Sequence, residues 1–162
     1  MKKNILVFVL LLLFHFGCGN DNPNSWKQIS DNNYITAQVS GAINIFFEAQ
    51  KIRTDILSVS DSTLLISVES ECLIENFIYS MRLTFPVDKV GKFINSSNID
   101  AYFTLGNKNY QFGWGYINIQ ESKSNVINGN FEFTGYQWEV NKDSSYIKDS
   151  IKISNGSFNI LK

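Results

Sequence analysis

The chain has 162 residues, with 14 Lys and Arg against 15 Asp and Glu, one His and two Cys. This near-neutral balance, without a basic run, excludes a nucleic-acid or anionic-lipid binder that works by charge. Two cysteines exclude a disulfide-framed scaffold, and the length is that of one domain with a real core.

The amino terminus reads as an export signal. Lys2 and Lys3 precede an unbroken apolar run from Ile5 to Phe14, and His15-Phe16-Gly17 leads into Cys18. About ten apolar residues suffice to engage export machinery, whereas a membrane span needs roughly twenty. A small residue just before a cysteine at the end of such a run resembles the lipobox of bacterial lipoproteins. That resemblance implies a diacylglyceryl group on the Cys18 sulfur, cleavage before Cys18 and acylation of the new terminus. Two or more acyl chains hold a protein on a bilayer stably. His15 and Phe16 stand where the pattern prefers Leu and a small residue, so an ordinary cleaved signal and an uncleaved anchor stay open as alternatives. The expected organisation is a signal peptide over 1–17, lipidated Cys18 with a polar tether over 18–33, and a single β domain over 34–162. The expected location is the bacterial outer membrane, on either face.

Beyond the tether the apolar residues alternate with a period of two, the mark of half-buried strands. Ile35, Ala37 and Val39 come first, then Ser40-Gly41 as a turn, then Ile43, Ile45 and Phe47. Ile45, Ala49, Ile52 and Ile56 also fit a helical stripe; a strand from Ala42 to about Ala49 is the preferred reading. Leu64, Ile66 and Val68 follow. The longest run is Phe77, Tyr79, Met81, Leu83 and Phe85. Ile99, Ala101, Phe103 and Leu105 lead into the turn Gly106-Asn107-Lys108-Asn109. Tyr110 to Gln120 reads as a strand with a bulge at Gly113 or Gly115. Ile127, Gly129, Phe131 and Phe133 form one face of the next. Ile151 and Ile153 precede Asn155-Gly156, a strong hairpin-turn dipeptide, and Phe158 and Ile160 close the body. The expectation is an all-β fold: an antiparallel β-sandwich or partly open barrel of about eight to ten strands.

Several segments carry a resemblance. Val126-Ile-Asn-Gly129-Asn-Phe131-Glu-Phe133-Thr-Gly135, followed by Ile151-Lys-Ile153-Ser-Asn155-Gly156-Ser-Phe158-Asn-Ile160, resembles the ending of small Bacteroidetes lipoproteins of unknown function. Gly113-Trp-Gly115-Tyr-Ile117-Asn-Ile119, Val90-Gly91-Lys92-Phe93 and Ala37-Gln-Val39-Ser-Gly41 resemble upstream segments of the same group. The resemblance implies an all-β lipoprotein domain and no activity, cofactor or catalytic residue.

Chemistry is sparse. The single His15 lies in the leader, so the mature chain is expected to lack histidine, which excludes a Ser-His-Asp triad and histidine-ligated zinc there. With Cys18 lipidated, Cys72 has no partner and is expected to be a buried, inert thiol. No catalytic residue, metal site or cofactor is expected. Glu69, Glu71, Glu121, Glu132 and Glu139 are the carboxylates a glycosidase-like hydrolase would draw on; solvated strand faces explain them as well. Asp31-Asn32-Asn33 reads as a tether-to-strand turn rather than a calcium site. The binding candidates are Trp114, Tyr116, Tyr136 and Trp138. In a regular strand Phe112, Trp114 and Tyr116 share the face opposite Ile117 and Ile119; a bulge at Gly113 or Gly115 would instead flip the register and bury Trp114. The expected protein is thus a non-catalytic, lipid-anchored envelope protein. Its partners are the membrane through Cys18 and a glycan or an envelope protein, with no nucleic acid; a glycan- or protein-binding module is the alternative and a carboxylate hydrolase the third reading.

Overall fold

A computed structural model describes residues 27–28 and 32–162, apart from 61–62, 96–97 and 142–143. The leader, His15 and Cys18 lie outside the described residues. The fold is all-β, as the alternation requires. Among the described residues eleven strands run in chain order: β1 (Lys27–Gln28), β2 (Tyr34–Gly41), β3 (Ile45–Glu48), β4 (Lys51–Ser60), β5 (Thr63–Ile74), β6 (Phe77–Pro86), β7 (Gly91–Ile94), β8 (Asp100–Leu105), β9 (Lys108–Ser122), β10 (Val126–Asn141) and β11 (Ser144–Leu161). They form one antiparallel sheet in the order β1-β4-β5-β6-β8-β9-β10-β11-β2-β3, with β7 beside β9. The helical stripe through Ile45, Ala49, Ile52 and Ile56 is not used: β3 and β4 are both extended. Two residues of the expected tether, Lys27 and Gln28, pair with β4.

The sheet curls on itself. At the corner between β3 and β4, the Ala49 N–H donates to the Ile35 carbonyl of β2 at 2.9 Å, and the next amide, Gln50, donates to Glu71 of β5 at 2.7 Å. Neighbouring amides therefore bond to strands near opposite ends of the sheet. No ladder joins β3 to β4, so the sheet stays open there while its faces close around one core. Phe47 of β3 meets Phe103 of β8 edge-on at 6.1 Å, and Phe85 of β6 lies 4.9 Å from Phe158 of β11. These rings bridge strands far apart in the sheet order, which a flat sheet does not allow. Each fully buried aromatic or aliphatic side chain of this core contributes about 1.5–3 kcal/mol.

Two expected turns are corrected. Ser40-Gly41 ends β2, paired with Lys152 and Ile151 of β11, and the chain turns over 42–44 into a β3 shorter than the expected strand from Ala42 to about Ala49. Asn155-Gly156 does not close a hairpin; it lies inside β11. Phe133 faces Ile153 but Phe131 faces Gly156, so two residues of β11 oppose one of β10. Asn155 does adopt the positive φ (51°) its residue type tolerates, but the strained residue makes a β-bulge and the ladder continues on both sides. A Cβ on Gly156 would sit 2.6 Å from the Phe131 ring, which is why glycine occupies the place. The tight turn at the β5–β6 hairpin is Glu75-Asn76 instead, both at positive φ (50° and 68°), as a two-residue primed turn demands. The turn after β8 is Gly106-Asn107, the first half of the expected one; Lys108 and Asn109 already pair with Leu105 and Thr104 as the start of β9.

Candidate functional site: an aromatic ridge and an adjoining polar groove

The ridge begins with a change of partner along β9. Its first half pairs with β8, from Lys108↔Leu105 to Gln111↔Tyr102. Its second half pairs with β7, from Tyr116↔Ile94 to Ile119↔Gly91. Between them, Trp114 faces Thr134 of β10 while Phe112 faces Gly135, so Gly113 is the extra residue of a bulge. The Asn95 side chain accepts the Gly115 N–H at 2.8 Å, and the Asn95 N–H donates back to the Gly115 carbonyl at 3.2 Å. The backbone polar groups freed at the crossover are thereby satisfied.

The bulge has an effect the strict alternation did not anticipate. It inverts the face used by the first half of β9. Tyr110 is buried, and Phe112 turns inward to lie 5.9 Å from Phe133. Phe112 therefore does not share the outer face with Trp114 and Tyr116. The same bulge leaves Trp114 59 % exposed rather than burying it. Trp138 is 47 % exposed. Tyr136 and Trp138 belong to β10 itself, not to a loop, and their rings meet edge-on at 6.4 Å. The Tyr136 ring occupies the space over Gly113, where a Cβ would lie 2.1 Å from a ring carbon. Tyr116 is set apart from this ridge: it is half-buried, and the Lys92 ammonium caps its ring at 3.8 Å, a cation–π contact.

Beside the ridge lies a groove of about 430 Å³ on the outer face of β5, β6, β8 and β9, lined by Glu69, Glu71, Ser80, Met81, Arg82, Tyr102, Thr104 and Asn109. Its floor is set by register. Glu69 faces Arg82, Arg82 faces Tyr102, Tyr102 faces Gln111 and Gln111 faces Tyr136. One row of side chains thus links the groove to the ridge across five strands. The Arg82 guanidinium lies 4.4 Å over the Tyr102 ring and 3.8 Å from Asp100. Alternation places Glu69, Arg82 and Tyr102 opposite the apolar runs and the Gly113 bulge turns Gln111 to the same side, but only the order of the strands brings residues 69 to 111 together.

The five carboxylates weighed for catalysis are each next to a cation. Glu69 lies 2.8 Å from Arg53, Glu71 3.8 Å from Lys51, Glu132 3.2 Å from Lys152 and Glu139 2.8 Å from Lys148, and Glu121 pairs with Lys123. Hydrogen bonds from Lys123 and then Asn128 hold the Glu121 carboxyl below its ordinary range, and Lys148 does the same for Glu139. Glu69 and Glu71 do line one groove, two residues apart on β5. Among the described residues no cluster of His, Cys, Asp or Glu could hold a metal ion. Of the triplet 31–33, Asp31 lies outside the described residues; the Asn32 carbonyl accepts a hydrogen bond from the Asn159 amide, and Asn33 is buried. Tyr110, deep in the core, donates to Asp149 at 3.3 Å. Burial, then that carboxylate, push its hydroxyl upward.

Cys72 is free and 3 % exposed. Burial pushes its thiol up to about 11 from 9.0, partly offset by a hydrogen bond from the Glu48 backbone. An acid raised in the folded state keeps its proton there while the unfolded chain releases it. The Cys72 contribution to stability is therefore full below about pH 9 and declines between about 9 and 11. Disulfide-exchange reagents are expected to label Cys72 at pH 8 only as fast as the protein opens, and at the free-thiol rate once it is unfolded in urea; fast labelling of the folded protein would contradict its burial.

No family model, curated protein or solved structure matches the chain.

Proposed function

We propose that this chain is a non-catalytic, lipid-anchored binding protein of the bacterial cell envelope whose recognition surface is the ridge of Trp114, Tyr136 and Trp138. The observation that carries the binding part is the exposure of both tryptophans, with Val140 and Ile147 also exposed beside Trp138. Such flat, amphipathic rings held by a rigid sheet stack on sugars and fill partner pockets at little entropic cost. The anchor rests on the leader and Cys18, and on the resemblance to small Bacteroidetes lipoproteins. The pairing of every candidate carboxylate with a cation favours binding over hydrolysis, since a glycosidase needs one carboxyl able to hold a proton for the leaving group. A protein partner is the second reading, favoured by the exposed Leu73, Phe77 and Ile78 at the β5–β6 tip.

Cells fed a radioactive fatty acid are expected to label the wild type and not Cys18→Ser; an unlabelled wild type would remove the anchor. In a Trp26→Phe background, acrylamide is expected to quench Trp114 and Trp138 close to the efficiency of free tryptophan. Retention on envelope glycan fractions is expected to fall about tenfold or more in Trp114→Ala/Trp138→Ala with the thermal midpoint unchanged. Wild-type retention by that variant would refute the ridge as the site.

A further inference from the structure

We infer that the ligand is a neutral oligosaccharide lying across the strands, from the Tyr136–Trp138 pair over Asn109 into the groove at Arg82 and Tyr102. This inference rests on the reading of the ridge as a binding surface and extends it.

Geometry comes first. The row Glu69–Arg82–Tyr102–Gln111–Tyr136 crosses five hydrogen-bonded strands, and adjacent strands lie about 4.8 Å apart, so it spans roughly 19 Å. A second row, Glu71–Ser80–Thr104–Asn109, runs beside it. Together they make a track with aromatic rings at Tyr136 and Tyr102 and hydroxyl, amide, guanidinium and carboxylate groups along the rest. A sugar chain has that character: each ring has an apolar face that stacks and an edge of hydroxyls that both donate and accept.

Charge selects among polymers. Every cation bordering the groove faces an acid: Lys51 with Glu71, Arg53 with Glu69 and Asp55, Arg82 with Asp100. Three cations face four acids, so no spare positive charge is left to attract a phosphate backbone, whose affinity comes from unmatched Lys and Arg, or a uronic-acid polymer. An extended peptide would add to a free sheet edge, whereas β5, β6, β8 and this half of β9 are each paired on both sides. A chain of neutral hydroxylated rings is the class that uses both the ridge and a groove without spare positive charge.

Calorimetric titration of the purified full-length protein with cellotetraose, xylotetraose and maltotetraose, and with glucose, tests this. At least one neutral tetrasaccharide is expected to bind about tenfold or more tighter than glucose, with affinity unchanged between low and high salt. Thr104→Val/Asn109→Ala is expected to weaken the tetrasaccharide about tenfold at an unchanged thermal midpoint, and Trp138→Ala to weaken both tetrasaccharide and glucose. Wild-type affinity in the groove variant together with loss in Trp138→Ala would end the extension and keep the ridge. Wild-type affinity in both would end both. Binding confined to oligogalacturonate, or strongly salt-dependent, would overturn the neutral class, as would failure of every tetrasaccharide; the retention of envelope fractions by the Trp114/Trp138 variant then still decides the ridge.

Discussion

Phe158→Ala is expected to lower the free energy of unfolding by about 3–5 kcal/mol, a large share of the roughly 5–15 kcal/mol that holds a domain of this size. Phe158 sits on β11 and is 1 % exposed. Its ring packs 4.9 Å from Phe85 and 6.3 Å from Phe131. Phe131 is on the neighbouring strand, but β6, which carries Phe85, is separated from β11 by three strands of the sheet. Truncation therefore empties the point where opposite walls of the curled sheet meet, and walls tied into ladders on both sides cannot close the void by a small shift. Urea unfolding reports the change directly. A loss under about 1 kcal/mol would mean that the walls do not meet at Phe158.

Gly115→Ala carries the second large effect. A Cβ there would lie 2.2 Å from the Glu132 carbonyl oxygen and 2.5 Å from the Phe133 Cα. Both are backbone atoms of β10 and cannot swing aside. On its other side β9 is tied to Asn95 through two hydrogen bonds. The methyl must push apart strands fixed from both directions, at an expected cost of about 2–4 kcal/mol. Gly113→Ala offers the contrast. Its Cβ would meet the Tyr136 ring at 2.1 Å, but that ring ends a side chain that can rotate. Stability is expected to fall by only about 1 kcal/mol, while Tyr136 leaves its place and ligand affinity drops. Equal unfolding midpoints for the two variants would overturn this ordering.

How much of this was legible in the residues varies with what each feature depends on. Runs such as Phe77 to Phe85 and Ile35 to Val39 announce their strands because one face is buried throughout, so alternation survives intact. It fails where a residue is added. Asn155-Gly156 has the chemistry of a primed turn, and nothing local says that β10 and β2 flank it on both sides and turn it into a bulge. Gly113 was a visible hint, but the side chains it would invert depended on which strands share β9. The Trp114 and Trp138 surface was therefore half legible: the residue types marked it, and the register decided its exposure. The groove was not legible, because Glu71, Ser80, Thr104 and Asn109 lie on four strands whose adjacency follows only from the complete sheet.

The pairing of β2 with β11 also orders events in time. Tyr34 bonds opposite Asn159 and Gly41 opposite Ile151, so the first long strand, which pairs locally with β3 on one side, finds its other partner only in β11. A chain emerging amino terminus first holds β2 without that partner until β11 arrives, and the intervening hairpins form earlier because their contacts are local. The β2–β11 ladder is thus expected to form late in folding, and a chain truncated before β11 cannot form it.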